Sequence, residues 1–292
     1  MRFAARLGAA LFALTAAALS AEAQTQREKW NEPMEPFRII HNVYYVGTGG
    51  LASYLFVSPA GHVLLDGALP ESVPQIEANI EKLGFKLTDI KWLLNSHAHF
   101  DHSGGLAQLK RDTGARFAAM EGDVSALEGG FYLGSESVTT MSAPPVKVDR
   151  VLHDSDTVQL AGIKLTANLT AGHSRGCTSW STTVNEGTKA LNLLVFCSAT
   201  VAANRLVDPP QYDGIVADYL ATFAKMKQAH VDVFLAPHPE FFNLKGKRSL
   251  QIAHSDEPNP FATPGEFTKF ILLQEKQFGA DLKTQEEKAK SH

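Results

Sequence analysis

Short apolar runs alternate with glycine- and proline-rich turns at the start of the ordered pattern. Phe37-Arg38-Ile39-Ile40, Val43-Tyr44-Tyr45-Val46, Ser53-Tyr54-Leu55-Phe56-Val57 and His62-Val63-Leu64-Leu65-Asp66 are rich in β-branched and aromatic residues. Gly47-Thr48-Gly49-Gly50 and Pro59-Ala60-Gly61 punctuate them, which predicts an antiparallel meander. The period then changes. Val73, Ile76, Ile80 and Leu83 recur at helical spacing within Glu71–Leu83, and Gly84 stops the helix. Ile90-Lys91-Trp92-Leu93-Leu94 reads as a buried strand, and Leu106, Leu109 and Lys110, after Gly104-Gly105, as a helix reaching about Asp112. Arg116–Met120 is a further strand, and Glu121–Leu127 a helical turn.

The β pattern returns in Val146–Leu152, Thr157–Leu160, Lys164–Leu169, Ser179–Val184 and Ala190–Phe196. Tyr212–Ala229 carries Ile215, Tyr219, Phe223 and Met226 on one helical face, and Val231–Ala236 is a buried strand ended by Pro237-His238-Pro239. After the proline-rich connection Glu257–Pro264, a last helix spans about Gly265–Phe278, and the charged remainder is expected to fray. Gln24–Pro36 is expected to be an irregular arm. The loop 128–145 holds Phe131, Tyr132 and Leu133, which can either line a cleft or pack onto the body. The order of elements is α/β, with helices covering sheet faces. Two similar halves emerge, each running strands, helix, strand and a histidine turn, which suggests a duplicated unit.

Composition narrows the setting. Arg2 and Arg6, the apolar run Leu7–Leu19 and Ala21-Glu22-Ala23 have the form of an export signal with a cleavage site, too short to span a membrane stably. Without Met1–Ala23 the chain keeps 269 of its 292 residues, with 25 basic against 30 acidic side chains and no basic block. That argues against a nucleic-acid partner. Residues 24–292 are expected to form one periplasmic domain, monomeric and unattached to a membrane. In an oxidising compartment the two cysteines, Cys177 and Cys197, are most simply a disulfide; the competing reading makes Cys197 a metal thiolate.

The chemistry concentrates at Asn95-Ser96-His97-Ala98-His99-Phe100-Asp101-His102-Ser103-Gly104-Gly105, at the carboxyl end of a strand, where open α/β sheets place ligands. Imidazole and carboxylate are ligands that zinc accepts. A catalytic zinc takes three protein ligands plus water, so four are too many for one such site and too few for two. His97 and His99, two apart on an extended turn, can face one way, while Asp101 and His102 face another. His173, in the turn Thr170–Thr178, and His238, between two prolines, are the best distant partners. His41, His62, His153, His230, His254 and His292 read as solvated histidines. Asp66, ending its strand, is either a turn residue or a carboxylate that orients a ligand histidine. The glycine loop at 47–50 lacks the Lys-Ser/Thr of a phosphate-binding loop.

His97-Ala98-His99-Phe100-Asp101-His102, then Gly172-His173-Ser174, then Pro237-His238-Pro239, resemble the metallo-β-lactamase superfamily in order and spacing, over essentially the whole chain after the signal. The resemblance implies an αβ/βα four-layer sandwich with metals at the edge between two sheets. Other branches, including thioesterases of the glyoxalase type, lactonases, phosphodiesterases and nucleases, often carry a metal-bridging aspartate where this chain has Phe196-Cys197-Ser198-Ala199-Thr200. Its absence makes the sequence similar to the third subclass of class B β-lactamases, which has a serine there. Neighbouring strand residues face opposite sides, so Cys197 and Ser198 are not expected both to reach the metals. With Cys177 at hand, and some third-subclass enzymes having just such a pair, the disulfide is favoured.

By resemblance, His97, His99 and His173 hold one zinc and Asp101, His102 and His238 a second. Asp101 also orients the attacking water, whose pKa the metals lower towards about 7. Ser198 and Thr200, two apart, are placed to bind a substrate carboxylate. Penicillins, cephalosporins and carbapenems are the implied substrates, with antibiotic resistance the result. Arg175, where proline is common, and Glu240, where glycine is common, put the substrate range in doubt. A thioester or lactone hydrolase on the same metals is the rival reading, and a zinc-binding protein without activity the third.

Overall fold

The computed structural model describes residues 25–255 and 258–291, so the expected export signal and His292 lie outside the described residues. Residues 25–30 form a short helix, α1, where an irregular arm was expected. Strands β1 (Phe37–Ile40), β2 (Val43–Tyr45), β3 (Tyr54–Ser58) and β4 (Gly61–Leu65) pair as an antiparallel meander. Helix α2 (Val73–Lys82) crosses over to β5 (Ile90–Leu94), which lies parallel to β4. The histidine turn follows, containing the single helical turn α3 (Phe100–Ser103), then α4 (Leu106–Thr113), β6 (Arg116–Met120), α5 (Val124–Gly129) and β7 (Arg150–Leu152). These seven strands form one sheet in sequence order.

The second sheet repeats the plan. Strands β8 (Thr157–Leu160), β9 (Ile163–Leu169), β10 (Thr178–Glu186) and β11 (Lys189–Val195) form a meander. Helix α6 (Ile215–Met226) crosses to β12 (Val233–Leu235), parallel to β11, and His238 follows. The two parallel pairs, β4 with β5 and β11 with β12, are the structural form of the repeated order seen in the sequence.

Strand alternation explains the layers. Leu55, Leu64, Leu93, Phe117 and Ala119 turn to one face, where Ile76, Ile80, Leu106 and Leu109 of the helices cover them. Tyr54, Phe56, Val63, Leu65, Leu94, Ala118 and Met120 take the alternate positions and join the core that holds Leu165 and Trp180 of the second sheet. Helix α8 (Glu266–Lys290) closes the last layer, with Phe267 5.3 Å from both Phe196 and Phe234. The result is helix, sheet, sheet, helix.

Three further expectations need correction, and one helix had none. Helix α8 runs twelve residues beyond Phe278 because Phe278 packs on Tyr219 and Gln285 is held by the backbone of Asn204 and Leu206. Helix α7 (Leu244–Ala253) had no expectation; only Leu244 and Lys247 are buried along it, too few to mark an apolar face. His62 is buried, not solvated, because its ring packs edge-on at 5.1 Å from Phe85. The strand expected over Val146–Leu152 begins only at Arg150, since Val146 N–H is spent on Leu127 O.

Candidate metal centre

Asp66, at the end of β4, accepts a 2.6 Å hydrogen bond from Ser96 N–H and so fixes the first residues after β5. His99 keeps an extended backbone before α3 begins, while Asp101 and His102 lie within the helical turn. This change of conformation sends the first two imidazoles one way and the next two ligand groups another. Ser103 Oγ closes the turn on the carbonyls of Ala98 and His99. Gly105 is required here, since a Cβ would lie 2.2 Å from Gly67 O.

The Thr170–Thr178 turn is stitched to the first by Asp123. Its Oδ2 accepts from Ala98 N–H and Ser174 Oγ–H, each at 2.9 Å, and its Oδ1 from Gly176 N–H at 2.7 Å. A Cβ on Gly176 would meet Asp123 N at 2.5 Å, so only glycine lets the turns approach. Thr178 N–H donates to Ser96 O at 2.7 Å and Trp180 Nε1–H to Asn95 O at 2.9 Å. His238 is brought in by β12 and anchored to the other sheet: Tyr54 OH donates to Ala236 O and Ala52 N–H to Pro237 O.

The ligand-type side chains converge in two groups. His97, His99 and His173 have ring centroids 4.5–4.6 Å apart, with ligand atoms within 4.8 Å of one another. In the second group His102 Nε2 lies 3.2 Å from His238 Nε2 and 3.3 Å from Asp101 Oδ2, and His238 Nε2 lies 3.4 Å from the same oxygen. The rings of His97 and His102, 4.4 Å apart, join the groups.

Hydrogen bonds settle one tautomer. Thr200 O, a carbonyl, can only accept, so His173 Nδ1 at 2.7 Å carries the proton and Nε2 keeps its lone pair. His97 Nε2 is buried with no hydrogen-bond partner. An unpartnered ring nitrogen beside two more imidazoles is what a cation would satisfy. Burial first, then the neighbouring imidazoles, hold His97 and His99 well below the ordinary histidine pKa, and burial brings His173 to about 4. All three are therefore neutral, the form that ligates. In the second group burial opposes charge, yet Asp101 outweighs it and raises His102. His102 and His238 likewise outweigh the burial of Asp101 and hold its carboxyl well below the usual range. One group is neutral and one is a carboxylate–imidazole cluster.

A family model for the metallo-β-lactamase superfamily matches residues 46–183. The subclass B3 metallo-β-lactamase of Bradyrhizobium japonicum is 47% identical, with a TM-score of 0.88 over 90% of this chain and 99% of that one. The chain belongs to the metallo-β-lactamase superfamily. The metallo-β-lactamase of Legionella gormanii is 39% identical, with a TM-score of 0.83, over 88% of this chain and 98% of that one. A hydroxyacylglutathione hydrolase of Rhodopseudomonas palustris is 30% identical over 121 residues, 41% of this chain and 39% of that one. A probable metallo-hydrolase of Burkholderia pseudomallei is matched over 37% of its length. The chain thus aligns with less than two fifths of either curated relative. Membership implies metal ions, and the histidine clusters are where the fold presents ligands for them.

The remaining site residues fall around these clusters. Cys177 and Cys197 form a disulfide, so the thiolate alternative does not hold in this structure. Removing it with Cys177→Ser and Cys197→Ser should cost about 3 kcal/mol, from the loop-closure entropy of a 20-residue separation, read as a lower urea midpoint. Ser198 Oγ and Thr200 Oγ1 are 3.2 Å apart, on one side of the chain as expected. Thr200 lines the roughly 270 Å³ cleft that holds His99, Asp101, His173 and His238, while Ser198 is buried behind it. Tyr132 of the 128–145 loop both packs and lines the cleft, stacked 4.2 Å from the His99 ring. Asp66 Oδ2 faces His102 Nδ1 at 3.9 Å, on the side an orienting carboxylate would take but beyond hydrogen-bond reach, and both atoms are buried without a hydrogen-bond partner. Of the other histidines, His41, His153, His230 and His254 are exposed.

Asp123, Asn204 and Trp30 were not foreseen. Asn204 donates to His173 O at 2.9 Å and accepts from Tyr132 OH at 2.8 Å. Asp123 lies three residues past the end of β6, at the close of a short helical turn, so the strand-end signal that drew attention to Asp66 pointed at Glu121 rather than at it.

Proposed function

We propose that this protein hydrolyses the amide bond of β-lactams, with two zinc ions held by His97, His99 and His173 and by Asp101, His102 and His238. The observation that carries the reading is two adjoining triads, each with two members on one cleft, in a chain nearly half identical, over 99% of its relative, to a subclass B3 β-lactamase. We also propose that residues 24–292 act as one exported monomeric domain. No helix among the described residues is long and apolar enough to cross a membrane.

When bound, zinc would supply Lewis acidity and an activated water at neutral pH. The protein's own part is positional. The carbonyl of Thr200 orients His173 from behind through a hydrogen bond, so that ring turns Nε2 inward, while the carboxylate of Asp66 faces His102 Nδ1 from 3.9 Å as a charge without a hydrogen bond. Asp101 stays ionised and offers the one carboxylate among the clustered ligands, able to hold a cation and to orient water beside it by accepting its hydrogen bond. Thr200, with Ser198 behind it, offers hydroxyl groups for the carboxylate that penicillins, cephalosporins and carbapenems share. Met141 and Tyr132 restrict the cleft from the loop side.

A second reading has one observation in its favour, the likeness to hydroxyacylglutathione hydrolases. Against it, the stretch Phe196–Thr200 directly after β11 holds no acidic residue, and Cys197 there is tied in the disulfide. The deciding experiment gives purified, zinc-loaded protein a chromogenic cephalosporin and a glutathione thioester, each with and without a chelator. Ring opening that the chelator abolishes is expected. Thioester turnover with the cephalosporin untouched would reverse the choice, and inert protein with full metal would return the case to zinc binding alone.

A further inference from the structure

The cleft does not end at the histidines. A second cavity of about 460 Å³ adjoins it, and Gln26, Trp30 and Glu240 line both. Trp30 and Glu240 stand beside the same imidazole: the indole ring lies 6.0 Å from the His238 ring, and Glu240 Oε1 lies 3.8 Å from His238 Nδ1. The indole is held there from its backbone. Gly50 N–H donates to Trp30 O at 3.2 Å, and Thr48 Oγ1–H donates to the same oxygen. The glycine loop that lacked a phosphate-binding signature thus has a different use, which is to seat α1 against the cleft. Phe100, 6.1 Å away, supports the indole from inside.

Charges in the second cavity largely cancel at its far part. Lys245 Nζ lies 3.2 Å from Glu32 Oε2, so each neutralises the other. Lys29 and Glu240 remain, and only Glu240 also lines the first cleft. Where the cavities meet, a substrate group therefore encounters an indole and a solvent-facing carboxylate. An aromatic ring and an anion together favour a cation, above all a delocalised or quaternary one that loses little on shedding water.

We propose that Trp30 and Glu240 form a subsite for a positively charged substituent, a pyridinium or quaternary ammonium group, on the substrate. The proposal rests on the β-lactamase reading and narrows it to the β-lactams best accepted. A neutral substituent would meet the indole alone, and an anionic one would be opposed by Glu240.

The test compares two cephalosporins with the same amide side chain, one bearing a 3′-pyridinium and the other a 3′-acetoxy group. The ratio of kcat/KM between them is read for the native zinc enzyme, Glu240→Gln and Glu240→Lys, at low and high salt. Glu240→Gln should lower the pyridinium-to-acetoxy ratio about threefold at low salt, and Glu240→Lys further, with the difference shrinking as salt screens it. The loss should appear in KM, because the charge acts on binding. Independently, N-benzylpyridinium should quench tryptophan fluorescence saturably in the native enzyme, weakly in Glu240→Lys and without saturation in Trp30→Phe. A ratio that neither Glu240 substitution moves overturns the subsite. If neither cephalosporin is opened yet saturable quenching depends on Trp30 and Glu240, the β-lactamase reading falls and the cation subsite stands. Quenching that is not saturable in inactive native protein ends both.

Discussion

Asp101→Asn is expected to lower kcat/KM for a β-lactam about a thousandfold, roughly 4 kcal/mol of barrier, while leaving the fold intact. Asparagine matches the shape of the carboxylate and keeps one acceptor, so packing in the turn is preserved. What it removes is the charge that His102 and His238 hold ionised against burial. It also turns amide hydrogens towards two imidazole Nε2 atoms that now lie 3.3 and 3.4 Å from a carboxylate oxygen. The second group then loses its anion, and the cleft loses the charged acceptor that orients water. Metal analysis after dialysis should show one ion fewer per chain than the native protein, with unchanged circular dichroism. A variant that keeps full activity and full metal would remove Asp101 from the proposed ligand set. One that keeps the metal but loses the rate would leave it the water-orienting role alone.

The histidine turn was legible because its chemistry is local. His97, His99, Asp101 and His102 share one turn, and the step from extended backbone to a single helical turn that separates them follows from the strand before and the helix after. His173 and His238 were legible for different reasons. His238 ends β12 in the place that the His97–His102 turn holds after β5, and β4 with β5 and β11 with β12 show that correspondence in the sheets, whereas His173 stood out as a histidine in a glycine-punctuated turn between two strand patterns. What the sequence could not show was which side chains brace the turns across space. Asp123, Asn204 and Trp30 act on residues 25 or more positions away, through hydrogen bonds or ring contacts that no spacing rule encodes. Helix ends failed for a related cause. The charged stretch after Phe278 looks frayed on composition, and only the contacts of Gln285 with Leu206 and Asn204 keep it helical.

Asp123 is the brace with the largest expected effect on stability. Asp123→Ala would strand the N–H groups of Ala98 and Gly176 and the hydroxyl of Ser174, all three now satisfied by one buried carboxylate. At about 1–3 kcal/mol for each unsatisfied group, with some recovered by water entering the space, a loss of about 4 kcal/mol is expected. Asp123→Asn keeps one acceptor and should cost about half as much at neutral pH. The pH dependence separates charge from hydrogen bonding. Burial raises the Asp123 carboxyl from 3.8 to about 6, although Ser174, Gly176 and Ala98 pull it the other way. Between those values the folded protein binds a proton that the unfolded chain does not, so this group's contribution to stability falls as pH rises from about 4 to about 6 and is flat above. Asparagine does not titrate. The stability difference between native and Asp123→Asn should therefore widen by about 3 kcal/mol as pH is lowered from 7 to 4, read by urea unfolding of metal-free protein. Because Asp123 ties the His97–His102 turn to the turn that carries His173, both variants should also bind zinc more weakly against a competing chelator. A native-like midpoint and native-like zinc affinity in Asp123→Ala would show that the two ligand turns hold their places without it.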